Sequence, residues 1–102
     1  MDKWLLIDDV RNLNCDETQR TFDSGLEALR RERWATLCID HDLGEKEERK
    51  NGYQIINVAI EEGILPPHVQ IVASNPAGMR NIQRALLSVG YDSRDGRNYF
   101  RG

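Results

Sequence analysis

Three short apolar runs, separated by longer polar segments, dominate the pattern of the chain. They are Trp4-Leu5-Leu6-Ile7, Thr36-Leu37-Cys38-Ile39 and Val69-Gln70-Ile71-Val72-Ala73. A short, nearly continuous apolar run is typical of a strand that is buried on both faces of a parallel sheet. A weaker strand is predicted over Thr18–Phe22. The chain is therefore expected to form a sheet built on these runs.

Three further segments have apolar residues at helical spacing. The predicted helices are Ser24–Arg33, Gly52–Glu62 and Met79–Val89, and a glycine follows each of the last two. Ser24 is the expected N-cap of the first helix, because Glu27 lies three residues on and completes a capping box. Strands that alternate with helices predict a small, open, mostly parallel α/β sheet with helices on both faces and right-handed crossovers.

The remainder of the chain predicts no second domain. It contains no internal repeat, low-complexity tract or linker, so residues 1–102 are expected to form one domain. The tail after Gly90 is expected to be irregular, with Tyr99 and Phe100 as its apolar anchors. Open α/β sheets bind their ligands in the crevice beyond the carboxyl ends of the strands, so a site is expected there.

Composition and charge exclude several classes of protein. Hydrophobic residues make up 39% and charged residues 30% of the 102 residues, which is too apolar for a disordered chain. The net charge of −3 leaves no basic excess for bulk binding of DNA. No apolar run could span a membrane, and the N-terminus has no signal-peptide pattern. Cys15 and Cys38 form neither a metal motif nor a disulfide framework, so a reducing cytoplasm is expected.

Acidic residues directly follow two of the predicted strands. Asp8 and Asp9 follow the first run, and Asp40 and Asp42 follow the second with His41 between them. Four carboxylates that converge would repel, since a pair about 4 Å apart costs about 4 kcal/mol at an effective dielectric constant of about 20. A bound cation, raised pKa values or basic partners relieve such repulsion. A Mg²⁺-assisted phosphate site is therefore one hypothesis, and solvated turn residues are the alternative for each acid alone.

Basic and polar residues lie near the same predicted edge. Arg11 either anchors a phosphate as a bidentate donor or relieves the acids as a salt-bridge partner. His41 either acts as a general acid or base, or packs away from the site. Ser74-Asn75-Pro76-Ala77-Gly78 either holds an anion at a helix N-terminus or forms an ordinary cap. Asn81, one turn into that helix, could face either way.

Four motifs, taken together, resemble one family. They are Ile7-Asp8-Asp9-Val10-Arg11, Asp40-His41-Asp42-Leu43-Gly44, Gly52-Tyr53 and Asn75-Pro76-Ala77-Gly78 with Asn81. The acids resemble the pocket of response-regulator receiver domains, and the full set resembles the cyclic-phosphate processing receiver domains of bacteria and phages. The resemblance spans Leu5 to about Leu86. It implies a receiver-like, flavodoxin-like fold that processes a phosphate ester, such as a cyclic nucleotide phosphate or an RNA 2′,3′-cyclic phosphate end.

The resemblance also implies a role for each residue of the site. Mg²⁺ or Mn²⁺ would be held by Asp8, Asp9 and Asp40, while Asp40 or Asp42 would be the nucleophile or general base, beside His41. A covalent aspartyl-phosphate and a metal-activated water are both open at this stage. The residues expected to contact the substrate are Arg11, Ser74, Asn75, Gly78 and Asn81.

The chain departs from the receiver pattern in three places. No lysine follows Gly90, the first crossover Asn12–Glu17 contains no helix, and Val72-Ala73 stands where the family has His-Ser. These departures predict a domain truncated at its C-terminal end. They also leave a second function open, that of a non-catalytic module that binds a nucleotide signal or a partner protein, as a phage accessory factor would.

Overall fold

The computed structural model describes residues 2–101, which form one five-stranded sheet and three helices. The strands are β1 (Trp4–Ile7), β2 (Glu17–Gln19), β3 (Thr36–Ile39), β4 (His68–Ile71) and β5 (Asn98–Phe100); the helices are α1 (Phe22–Arg31), α2 (Gly52–Glu62) and α3 (Pro76–Ser88). The strand order is β2-β1-β3-β4-β5, with β5 antiparallel to β4 and the other pairs parallel. The predicted receiver-like, mostly parallel α/β fold is confirmed.

The hydrophobic core lies between the sheet and the helices. Strand register aligns Leu5, Leu37 and Val69 in one row and Ile7, Ile39 and Ile71 in the next, and these six side chains are buried. Since alternate residues of a strand point to opposite faces, the two rows share one face. The apolar side chains that the helices pack into the same cluster are Leu26, Leu29, Ile55, Ile56, Ala59, Ile82 and Leu86.

Helices were expected on both faces of the sheet, but all three pack on this one face. The crossovers β2-α1-β3 and β3-α2-β4 run in the same direction across the sheet, and right-handed connections place both helices on the same side. The segment between β1 and β2 runs the opposite way and is too short for a helix. This segment lies on the second face of the sheet, where Cys15 lies against Cys38.

Two helices begin earlier than predicted. The N-cap of α1 is Thr21, whose hydroxyl accepts the N–H of Ser24 at 3.1 Å, so the predicted cap Ser24 is instead the third residue of the helix. The predicted strand accordingly ends at Gln19, because Phe22 already belongs to α1. Helix α3 begins at Pro76, since proline is well suited to the first helical position.

The C-terminal tail forms a strand that the sequence pattern did not predict. In β5, Asn98 pairs with Gln70 and Tyr99 with Val69. Of the two predicted anchors, Tyr99 is buried but Phe100 is 54% exposed. Tyr91 is the second anchor, because its ring is buried and its hydroxyl donates to the carbonyl oxygen of Pro66 at 2.6 Å.

Among residues 2–101, no helix has the length and apolarity that a membrane crossing requires.

Candidate functional site

Three carboxylates meet at the carboxyl edge of β1 and β3. Asp8 and Asp9 follow β1, Asp40 follows β3, and one oxygen of each lies within 4.8 Å of the others. The parallel pairing of the two strands positions them, because the N–H of Asp40 still donates to the carbonyl of Ile7 at 3.0 Å. Asp8 and Asp40 are buried, while Asp9 is half-buried. We name Asp8, Asp9 and Asp40 the acidic cluster.

Asp42 does not join the acidic cluster, although four converging carboxylates were expected. Its side chain is 63% exposed, and its Oδ1 lies 3.0 Å from Nδ1 of His41. The chain leaves the sheet at this point, since the carbonyl of His41 accepts the N–H of Gly52 at the start of α2 at 2.8 Å. Asp42 therefore lies beside His41 rather than beside Asp40.

Arg11 is paired with the acidic cluster. Its Nη1 lies 2.8 Å from Oδ2 of Asp8 and 3.5 Å from Oδ2 of Asp40. About a third of its side chain is exposed, so part of the guanidinium faces solvent. Of its two predicted roles, the salt bridge is present, and the exposed part leaves donors for a phosphate oxygen.

The two buried carboxyls have opposite pKa shifts. Burial works to raise the pKa of Asp8, but the N–H groups of Val10 and Arg11 and the Arg11 guanidinium hold it below its ordinary value. Burial, together with the charge of Asp8, raises the pKa of Asp40 above its ordinary value. The cluster therefore holds more negative charge than Arg11 alone neutralises, as expected of a cation site.

His41 lies between the acidic cluster and helix α3. Its backbone N–H donates to Oδ1 of Asp40 at 2.8 Å, and its ring packs on the first turn of α3. A Cβ on Gly78 would come within 2.3 Å of the ring. Gly78 thus makes room for the imidazole, while Asp42 holds Nδ1.

The turn before α3 is an N-cap. The side-chain oxygen of Asn75 accepts the N–H groups of Ala77 at 3.1 Å and Gly78 at 3.2 Å. The Gly78 N–H that was expected to contact an anion is thus already bonded. Ser74 is exposed at the edge of the sheet, and its hydroxyl and the Asn75 amide N–H₂ are the polar groups this turn presents.

Asn81 is exposed and lies apart from the acidic cluster. It lines a groove of about 550 Å³ between α2 and α3, together with Gln54 and Arg84. The predicted contact of Asn81 with the substrate stays a prediction, and the groove is the surface that this side chain lines.

Arg20 is a supporting residue that the sequence motifs did not identify. Its Nη1 donates to the carbonyl of Asp8 at 3.2 Å and to that of Arg11 at 2.6 Å, while its Nη2 bonds the side chain of Asn12. The guanidinium of Arg20 donates to three acceptors and so holds the loop that carries Asp9 and Arg11. Only the three-dimensional course of this loop reveals the role, because Arg20 follows β2 and belongs to no motif.

Two glycines of the motifs allow close approaches within the site. Gly44 has a φ of 66°, and a Cβ there would lie 2.9 Å from Oδ2 of Asp9. A Cβ on Gly52 would lie 1.9 Å from the carbonyl oxygen of Asp40. The loop after β3 and the start of α2 can therefore pack directly against the acidic cluster.

Comparison with known proteins identifies the family. Residues 3–88 match the sequence model of the family described as Cyclic-phosphate processing Receiver domain, from β1 to the end of α3. No curated protein and no solved structure matches the chain. The matched residues include the acidic cluster, Arg11, the His41–Asp42 pair and the turn before α3, and they make up most of the chain. The chain therefore belongs to the family of cyclic-phosphate processing receiver domains.

Proposed function

We propose that this domain catalyses a Mg²⁺-dependent reaction on a phosphate ester, such as a cyclic nucleotide phosphate or an RNA 2′,3′-cyclic phosphate end. Membership of the family supports a role in cyclic-phosphate processing. The observation that carries the proposal is the acidic cluster, with three carboxylate oxygens within 4.8 Å of one another at the ligand-binding edge of the sheet.

The donor set of the acidic cluster fits a hard divalent cation. Mg²⁺ and Mn²⁺ prefer carboxylate and water oxygens, and Asp8, Asp9 and Asp40 offer one oxygen each without a competing sulfur or imidazole. When bound, such an ion supplies Lewis-acid polarisation of the phosphoryl oxygens. Asp9 is only half-buried, so the cluster is open to solvent on one side.

Arg11 binds the substrate phosphate in this proposal. Its guanidinium now neutralises Asp8 and Asp40, and a cation on these carboxylates weakens that pairing. Bidentate bonds from arginine to phosphate are shorter and stronger than neutral hydrogen bonds. The exposed third of the side chain faces the solvent from which substrate arrives.

His41 and Asp42 form the acid–base pair in this proposal. Asp42 accepts the Nδ1 proton of His41, which leaves Nε2 to take or give a proton at the reacting oxygen. Contact with Gly78 fixes the ring, so the imidazole is oriented from two sides. Asp42 thereby orients His41, which leaves Asp40 as the carboxylate for attack if the reaction passes through an aspartyl-phosphate.

A non-catalytic module that binds a nucleotide signal or a protein partner is the second candidate. The observation that favours it is Val72-Ala73, which stands where the family has His-Ser and removes a proton donor, with Ala73 buried. The two free thiols, Cys15 and Cys38, suit the reducing cytoplasm in which we expect either function.

One experiment separates the two functions. The assay compares wild type with Asp40→Asn and with the control Asp2→Asn, a change at an exposed residue before β1. Each protein is incubated with linear and cyclic nucleotide phosphates and Mg²⁺, Mn²⁺ or EDTA. We expect turnover by wild type and Asp2→Asn, and a loss of at least about 100-fold in Asp40→Asn. Tight binding without turnover by wild type would contradict the enzyme and support the module.

A further inference from the structure

Arg97 lies at the same edge of the sheet as the acidic cluster. Because β5 is antiparallel, its amino end adjoins the carboxyl end of β4, and the N–H of Ile71 donates to the carbonyl of Arg97 at 2.8 Å. The side chain reaches further along β4, where Nη1 lies 3.3 Å from the Ile71 oxygen and 3.5 Å from the Ala73 oxygen. A guanidinium therefore borders the segment that leads to Ser74 and Asn75.

The guanidinium of Arg97 is held weakly. Its side chain is exposed, and within residues 2–101 it forms no ion pair. Both bonds to the β4 carbonyls are long and go to neutral acceptors. A phosphate oxygen carries negative charge and a phosphate can accept two parallel bonds from one guanidinium, so it competes well with these two neutral carbonyls.

The backbone of Arg97, in contrast, is held firmly. The carboxylate of Asp95 accepts the N–H of Arg97 at 2.9 Å and that of Asn98 at 2.8 Å. The side-chain amide of Gln83 donates to the carbonyl of Gly96 at 2.7 Å, which ties this turn to α3. Because the backbone is already fixed, ordering on ligand binding is limited to the side chain of Arg97.

Charge balance calls for a second basic group at this edge. The charges of the three carboxylates, Arg11 and a divalent cation sum to zero, so a bound phosphate ester gives the site a net negative charge even when Arg11 contacts it. Arg11 approaches from the β1 side of the site, whereas Arg97 approaches from the β4 side.

We propose that Arg97 binds the phosphoryl oxygens of the substrate from the side opposite Arg11. The proposal rests on the proposed function and names a substrate-binding residue for it. Arg97 lies outside residues 3–88, so the family match does not assign it this role.

The test uses backbone amide NMR to measure the binding of inorganic phosphate in the presence of saturating Mg²⁺. The variants are Arg97→Gln, Arg97→Lys and the control Arg101→Gln. In wild type, Arg101 lies over the Tyr91 ring at the other end of β5. We expect a Kd for phosphate about tenfold higher in Arg97→Gln, a smaller rise in Arg97→Lys, and none in Arg101→Gln. The affinity for Mg²⁺ is expected to be equal in all four proteins, a result that a general structural defect would not produce.

The outcomes distinguish this inference from the function on which it rests. Suppose that wild type binds Mg²⁺ and phosphate, and that both Arg97 variants bind phosphate as tightly as wild type does. The assignment of Arg97 is then overturned, while the proposed function of the acidic cluster stands. If wild type binds neither Mg²⁺ nor phosphate, the proposed function fails and the assignment fails with it. Should Arg97→Gln lose its dispersed amide spectrum, Arg97→Lys decides, because it keeps the charge but loses the bidentate geometry.

Discussion

At the scale of single residues, the site is assembled from short segments that follow strands. Asp8, Asp9 and Asp40 could be predicted because the ends of parallel strands meet at one edge. The outward position of Asp42 and the support from Arg20 could not, because both depend on the path of loops after they leave the sheet. Residue type and spacing thus identify the members of the acidic cluster better than the groups that surround them.

The contact between Gly78 and His41 can be tested by the sign of a stability change. Replacing glycine by alanine within a helix ordinarily stabilises by up to about 1 kcal/mol. We predict that Gly78→Ala instead destabilises the fold by about 1–3 kcal/mol, because the new methyl group would meet the imidazole ring. Urea denaturation of wild type and variant measures the difference in the free energy of unfolding.

The matched control is the same substitution in a chain that lacks the ring. In His41→Ala, the further change Gly78→Ala should be neutral or stabilising, because the clash is gone. Equal destabilisation in both backgrounds would refute the contact as the reason for glycine at this position.

At the scale of elements, the best predictions were those with a continuous local pattern. Strands β1 and β3 and helix α2 have the predicted bounds, since each is an apolar run or a helical period that ends at an acid or a glycine. Strand β5 could not be predicted, because three residues contain no period and their pairing depends on β4. For α1, the predicted N-cap Ser24 was wrong, because Thr21 takes that position.

The turn that precedes β5 should make the stability of the chain depend on pH. The backbone N–H and side-chain amide of Asn98, with the N–H of Arg97, hold the pKa of Asp95 well below its ordinary value of 3.8. The unfolded chain therefore binds a proton at a higher pH than the folded chain does. Stability from Asp95 is present above about pH 4 and is lost as the pH falls through the lowered value.

Thermal unfolding of wild type and Asp95→Asn between pH 3 and pH 7 checks this dependence. We expect wild type to have the higher Tm at pH 7 and the difference to shrink below about pH 4. A difference in Tm that stays constant over this range would rule out the charge of Asp95 as the cause.

At the scale of the whole molecule, the domain is a receiver fold with helices on one face of its sheet. The strand order and the handedness of the parallel crossovers explain the positions of α1 and α2, while α3 packs into the same core cluster. The same strand order brings Asp8, Asp9 and Asp40 together at one edge. The antiparallel β5 pairs with β4 and brings Arg97 to that edge. The departures from the receiver pattern thus lie beside the acidic cluster and leave it intact.

The central claim is that the acidic cluster binds a divalent cation for chemistry on a phosphate ester. A Mg²⁺ titration of wild type, Asp40→Asn and Asp2→Asn, observed by backbone amide NMR with and without inorganic phosphate, tests it most directly. We predict saturable shifts at Asp8, Asp9, Asp40 and Ser74 in wild type and in Asp2→Asn, and none in Asp40→Asn. No saturable response of wild type at millimolar Mg²⁺, in either the presence or the absence of phosphate, would contradict the account.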